Sequence, residues 1–368
     1  MSGEVEGLDD LGPSKVLWLR QPRVGLEAFV VIDNVACGPS IGGIRMAPDV
    51  TVNEVVRLAR AMTFKNAAAG LPHGGGKAGI VADPSLPGPQ KQALVRAFAQ
   101  AIRGLTEYIP GPDMGLNEEC MAWIKDEIGR AVGLPKVLGG IPLDEIGATG
   151  FGLAIAAEVA APYAGIDLHG ASFAVQGFGA VGTHAARFLV RRGAKLVAAS
   201  DSRGAVFNAD GLPVDELIAH KRNRQPLNSF QSGRAIAADD IVGVDCNIWI
   251  PAARPDVLNE NNVTRLKARL VLQGANIPAT SEAEQWMHVH GVITVPDFIA
   301  NAGGVICASV EYHGGGQTQA LASIEDRIRS NTSEVLERAK RQNCPPRHAA
   351  VEMARARVEE AMSYRRHV

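Results

Sequence analysis

Hydrophobic and polar positions partly alternate near the start of the chain, where KVLWLRQ and LEAFVVID are short and rich in branched and aromatic residues. That pattern predicts two strands. After the glycine-punctuated stretch CGPSIGGIRM the period lengthens: Thr51 and Glu54 form a capping-box pattern, and Val55, Leu58, Ala59 and Met62 follow at helical spacing. A helix is expected there, with Lys65 near its C-terminal end. The chain then runs through GLPHGGGKAG into AGIVADP, read as a strand ended by Pro84, which sets Lys77 on a glycine-rich approach to that strand. Helices are predicted from about Pro89 to Leu105 and over MAWIKDEIGRAVG, on either side of a loop that carries Asp113.

From about Gly150 strand and helix patterns alternate: ASFAVQ, the turn GFGAVG, the helix VGTHAARFLVRRG, then the strand KLVAASD. This is a βαβ unit, and such units imply a parallel sheet. NIWIP, RLVLQG and VITVPD are further strands, with helices such as SEAEQWMHVHG between them. From about Ala320 two polar-faced helical stretches flank the break Cys344-Pro345-Pro346. No internal repeat or low-complexity tract interrupts this order.

A length of 368 residues is long for one core, so two domains are expected. A formal net charge of −2 gives no reason to expect nucleic acid or an anionic membrane as partner. The five cysteines, Cys37, Cys120, Cys246, Cys307 and Cys344, are scattered and odd in number, without paired metal-ligand spacing. No metal is expected, Cys120 and Cys307 read as core residues, and a reducing cytoplasm is the simplest compartment. The acidic start MSGEVEGLDD has no apolar signal region and no later segment is a long uncharged run, so a soluble, unsecreted protein is expected.

Gly177, Gly179 and Gly182 form a GxGxxG pattern between a predicted strand and a predicted helix. The first glycine suits a tight turn, the second a close approach to pyrophosphate, and the third helix packing, with the helix N-terminus facing the phosphates. Asp201 ends the following strand, where an acidic residue hydrogen-bonds the adenosine ribose, which favours NAD; Arg203, two residues on, is suited to a 2′-phosphate and leaves NADP as the alternative. Lysines are usually solvated surface charges. Gly74, Gly75 and Gly76 remove bulk before Lys77, leaving room for a ligand, and a lysine withdrawn from water beside a second ammonium has its neutral form favoured, which suits proton transfer. Lys65, Lys77 and Asp113 together suggest chemistry on a small anionic carbonyl compound, although Asp113 after Gly111-Pro112 reads equally as a turn-stabilising aspartate. His73 reads as a loop histidine, since no partner carboxylate is evident. Asn276 and Asn301 follow predicted strands, where each either meets a carboxamide or stabilises its own turn.

The motifs GPSIGGIRM, MTFKNAAAGLPHGGGKAG, GPDMG, DEIGATGFG, VQGFGAVG, QGANIPAT and VPDFIANAGGV together resemble the amino acid dehydrogenase superfamily of glutamate, leucine, phenylalanine and valine dehydrogenases, over about Lys15 to Gly315. The resemblance implies an α/β chain of two domains. Residues 1–147 would form an α/β substrate and oligomerisation domain and residues 148–320 a Rossmann-type, doubly wound dinucleotide-binding domain, with the helices of 321–368 packing back on the first. It further implies that Lys65 holds the substrate α-carboxylate, Lys77 activates water and Asp113 exchanges protons with the amine. Ile41, Gly42, Gly111, Val305 and Ala308 would complete the substrate site. The cofactor would lie against Thr149, Gly177, Phe178, Gly179, Ala180, Val181, Gly182, Asp201, Ser202, Arg203, Ala252, Asn276 and Asn301. The implied reaction is reversible oxidative deamination of an L-amino acid to a 2-oxo acid and ammonium by a homo-oligomer. Glutamate enzymes commonly have lysine where this chain has Ile41 and serine where it has Ala308. An apolar substrate side chain is therefore expected, because a carboxylate buried there would be unpaired. The alternatives are a glutamate dehydrogenase in which another cation replaces that lysine, and a non-catalytic nucleotide-binding or regulatory protein on the same fold.

Overall fold

The computed structural model describes residues 6–365. In chain order, β1 (Lys15–Gln21), β2 (Leu26–Asn34) and β3 (Ser40–Ala47) precede α1 (Val52–Ala68), β4 (Gly74–Val81), α2 (Gly88–Ala101), β5 (Tyr108–Pro112) and α3 (Glu118–Ile128). There follow α4 (Ala148–Ala160), β6 (Ser172–Gln176), α5 (Ala180–Val190), β7 (Lys195–Asp201), β8 (Gly204–Phe207), α6 (Val214–Arg222), β9 (Arg234–Ile236), β10 (Ile248–Pro251) and β11 (Leu270–Leu272). The last elements are α7 (Ser281–Val289), β12 (Ile293–Val295), α8 (Asp297–Ala300), α9 (Gly303–Tyr312), α10 (Gln317–Gln342) and α11 (Pro346–Ser363).

By packing, the chain divides into two units. One comprises the chain up to Pro142, Val305–Ala320 and the segment from Glu352 onward; the other comprises Leu143–Gly304 and Leu321–Val351. The expected division at 320 is redrawn, since the C-terminal helices do not return to the first unit as a block. In the second unit Ile328 lies so close to Gly152 that a Cβ there would stand 2.5 Å from its Cδ1, and Arg347 pairs with Glu284 and Asp297. In the first, Arg357 donates to the carbonyls of Ala67 and Ala68, at the end of α1.

The first unit is built on a sheet of order β1-β2-β4-β3-β5, in which β2 is antiparallel to β1 and β4, and β3 is parallel to β4 and β5. Ile44, Met46, Ile80, Phe98, Tyr108 and Met121 fill its core. β3 arises from SIGGIRMA, which reads as punctuation in one dimension. Its glycines serve strand approach: a Cβ on Gly42 would lie 1.6 Å from the carbonyl oxygen of Gly76 on β4. Thr51 caps α1 as its pattern predicts, its side chain accepting from the Glu54 N–H at 3.3 Å.

The second unit holds a sheet of order β12-β11-β10-β6-β7-β8-β9. β6, β7, β10, β11 and β12 pair in parallel, as the βαβ pattern predicts, whereas β8 pairs antiparallel to β7 and β9 antiparallel to β8. Buried residues line α4 around much of its circumference, so no polar stripe advertises it as a helix. Among the described residues, no helix is long and apolar enough to cross a membrane, and no group of His, Cys, Asp and Glu is placed to hold a metal ion.

Candidate active site

Lys77 lies within β4 rather than on an approach to it, between β2 and β3 in the middle of the sheet. Its ammonium meets Asp113, the residue after β5, with Nζ 2.8 Å from Oδ2. Gly43 on β3 makes this meeting fit: a Cβ there would stand 2.8 Å from Asp113 Cβ and 3.3 Å from Lys77 Nζ. The run Gly74-Gly75-Gly76 does something other than clear space for a ligand. Added Cβ atoms would stand 1.8 Å from Asn34 O, 2.1 Å from Thr63 N and 2.8 Å from Ser40 Oγ, so the protein's own strands and α1 fill that space. Lys65 sits in the last turn of α1, half-buried.

A second cation completes the group. Arg45, two residues beyond Gly43 on β3, places Nε 3.2 Å from the same Asp113 oxygen and pairs its guanidinium with Glu54 at the start of α1. Burial pushes the Lys77 ammonium below its ordinary pKa and Arg45 adds to that, against the pull of Asp113. Burial works to raise the Asp113 carboxyl, but Lys77 and Arg45 outweigh it and hold the group below the usual carboxylate range. The result is an ionised acceptor against an ammonium whose proton is loosened, a pairing suited to proton exchange at neutral pH. The sequence reading missed Arg45 and Gly43. Their signal is the period-two spacing of Ile41, Gly43 and Arg45, visible once the segment is known to be a strand.

Ile41 packs with Ile109 and Val132 in a small buried cluster, against which Ala308 of α9 rests. Gly42 is held from beneath by the Tyr108 hydroxyl, which donates to its carbonyl at 2.9 Å, and a Cβ on Gly111 would meet Val132 at 3.1 Å. Val305, one turn before Ala308, is half-buried and does not join the cluster. His73 lies in the loop just before β4, as expected, but is buried. Its Nδ1 lies 3.1 Å from the Pro39 carbonyl, its ring packs beside His313 and Tyr312, and burial pushes its pKa down to about 4. It is neutral near pH 7.

In the second unit, Gly177 turns with φ +95°, and a Cβ there would stand 2.7 Å from Ala253. A Cβ on Gly182 would stand 2.2 Å from Gly177 O, which brings α5 hard against β6, while Gly179 faces open space. No side chain caps α5 at Gly179, so the amides of its first turn, Ala180, Val181 and Gly182, are left to meet an anion. Phe178 is buried beneath the turn, and the Ala252 N–H donates to Gln176 O at 2.7 Å. These features fit a dinucleotide pyrophosphate. Asp201 ends β7 and accepts the Arg203 N–H at 2.9 Å across Ser202, and its other oxygen pairs with Lys221 of α6. Asn301 donates to the Asn276 side chain at 3.0 Å, so Asn301 supports the turn while Asn276 is exposed. Thr149, second residue of α4, is half-buried, its Oγ1 3.8 Å from where a Gly304 Cβ would stand.

Family models match both parts of the chain: "Glu/Leu/Phe/Val dehydrogenase, dimerisation domain" over residues 16–130 and "Glutamate/Leucine/Phenylalanine/Valine dehydrogenase" over residues 139–366. A glutamate dehydrogenase of Aeropyrum pernix is 38% identical over 355 residues, covering 90% of this chain and 85% of that one. An NADP-specific glutamate dehydrogenase of Saccharolobus shibatae is 36% identical, covering 90% and 83%. Among solved structures, the Leu-bound hetero-hexameric glutamate dehydrogenase of Thermus thermophilus superposes with a TM-score of 0.85 at 30% identity, covering 97% of this chain and 91% of that one. The chain belongs to the glutamate, leucine, phenylalanine and valine dehydrogenase family and is an amino acid dehydrogenase.

Proposed function

We propose that this chain catalyses the reversible oxidative deamination of an L-amino acid to a 2-oxo acid and ammonium, with Lys77 and Asp113 as its proton-handling pair. The observation that carries this reading is their buried contact at 2.8 Å, with Arg45 on the same carboxylate. A nicotinamide ring, when bound, supplies the hydride acceptor. Asp113, held ionised, takes a proton from the substrate ammonium. Lys77, its ammonium destabilised by burial, passes a proton to and from the water that adds at the α-carbon. Lys65 meets the α-carboxylate as a charge-assisted partner. The uncapped start of α5 holds the pyrophosphate, and Asn276 and Thr149 face the carboxamide. The Thermus relative, a hexamer, supports an oligomeric assembly.

For the substrate side chain, the relatives support glutamate better than the apolar substrate expected from the sequence, because both curated relatives above carry that name. This reading requires a cation other than residue 41 to meet the γ-carboxylate. One observation favours the second reading, an aliphatic or aromatic amino acid: Ile41, Ile109, Val132 and Ala308 form an apolar cluster, against which a side-chain carboxylate would be unpaired. NADH formation measured on a panel of glutamate, leucine, valine, phenylalanine and tryptophan separates the two. Higher kcat/KM for glutamate rejects the apolar reading, higher kcat/KM for any other rejects glutamate, and turnover of none rejects the reaction. Ile41→Lys with Ala308→Ser is expected to raise the glutamate-to-leucine ratio of kcat/KM at least tenfold, since it supplies the missing charge and hydroxyl.

A further inference from the structure

The carboxylate that closes β7 is not free to act alone. Asp201 has a side chain only 6% exposed, and both of its oxygens are engaged: Oδ1 by the Arg203 N–H at 2.9 Å, Oδ2 by the ammonium of Lys221. Lys221 stands in the last turn of α6, twenty residues on in sequence, with its own side chain 31% exposed. Arg203 is in turn fixed by donating from Nη1 to the carbonyl of Arg224 at 2.9 Å, and Arg224 itself holds a left-handed φ of +59°.

An acidic residue at the end of the second Rossmann strand selects NAD in two ways: it accepts from the ribose 2′-hydroxyl, and its charge repels a 2′-phosphate. The second effect depends on an unopposed negative charge. Here Lys221 opposes that charge at contact distance, so Asp201 does not present an unopposed negative charge to a 2′-phosphate. A half-exposed lysine on a flexible four-carbon stem also moves readily from a carboxylate to a phosphate oxygen placed next to it.

We propose that Lys221 sets the choice between the two nicotinamide dinucleotides, by neutralising Asp201 and so admitting NADP alongside NAD. The inference rests on the dehydrogenase reading for its meaning, but it is tested by binding. NADH and NADPH are titrated separately against the full-length protein by nucleotide fluorescence, in wild type, Lys221→Gln and Lys221→Arg, at two salt concentrations. In wild type the two dissociation constants lie within tenfold of each other. Lys221→Gln exposes the Asp201 charge and raises the ratio of NADPH to NADH dissociation constants at least tenfold, more at low salt than at high. Lys221→Arg restores the ratio to within threefold of wild type.

Weakening of both dinucleotides in equal proportion by Lys221→Gln would make Lys221 a structural residue only and overturn the proposal, as would a wild-type preference for NADH of a hundredfold or more. Failure of wild type to bind either dinucleotide overturns both this proposal and the dehydrogenase reading. Normal binding without turnover of any amino acid overturns the reading alone, because the ratio still decides the role of Lys221.

Discussion

Gly43, Lys77 and Asp113 illustrate how much of this site turns on single atoms. A methyl group on Gly43 would stand 2.8 Å from Pro112 O and from Asp113 Cβ, and both belong to a chain segment packed against it. Gly43→Ala is therefore expected to push Asp113 off Lys77 and cut kcat at least a hundredfold, while the protein still folds; kcat near wild type would show that the pair tolerates separation. Lys77→Ala is expected to abolish turnover and leave NADH affinity near wild type, because the glycine turn proposed to hold the dinucleotide lies in the other unit. Turnover above a few per cent of wild type removes Lys77 from the chemistry. His73 gives a pH prediction of defined sign. Its folded pKa of about 4 lies below the ordinary 6.5, so between these values the unfolded chain binds more protons and stability falls as pH falls. The contribution is complete above 6.5 and lost towards 4. Denaturation at about pH 7 and pH 4 should show wild type losing about 3 kcal/mol more than His73→Gln across that interval. Parallel losses in the two proteins would remove His73 from the acid response.

At the scale of elements, the chemistry hangs on turns that long-range pairs keep in place. Ile277 adopts φ +48°, a conformation a β-branched residue takes only when its surroundings impose it. Asp297 imposes it by accepting the Ile277 N–H at 2.8 Å, and Arg347 at the start of α11 pairs with Asp297 and Glu284, at 2.8 and 2.7 Å. Both carboxylates are buried. Arg347→Met leaves them without a counter-charge, and the expected loss is about 3–5 kcal/mol. Urea denaturation followed by the fluorescence of Trp249, in the second unit's core, measures it. A loss below about 1 kcal/mol would show the carboxylates finding other partners.

Over the whole molecule, the path of the chain matters more than its length. It leaves the first unit after Pro142, re-enters it at Val305, leaves again after Ala320 and returns at Glu352. A chain ending at Ala320 therefore lacks Ile324, Ile328 and Val335, all fully buried, as well as Arg347. Such a fragment is expected to lack a cooperative thermal transition and to be cleaved rapidly by trypsin, although it retains every strand of both sheets. A cooperative melt within a few degrees of full length would show that α10 and α11 are dispensable to the fold.

The local half of this protein is legible in its residues, because helix caps, glycine turns and alternation are short-range rules. Thr51 and Glu54 mark the start of α1, and the glycines of the first βαβ turn mark the start of α5, with Asp201 at the end of β7. The family motifs imply separate roles for Lys77 and Asp113, and only packing brings the two into contact at 2.8 Å. Pairing decided the rest. β3 looks like a loop until β4 and β5 flank it, and the glycines before Lys77 look like room for a ligand until Asn34, Thr63 and Ser40 fill that room. Arg45 has no meaning in sequence until β3 puts it beside Asp113, 68 positions away. Lys221 has none until α6 brings it to Asp201, and Arg347 none until it meets Asp297. Charges paired across such separations leave no periodic trace in one dimension. Their partners are chosen by the packing of sheets and helices, which brings distant residues together only after the local elements have formed.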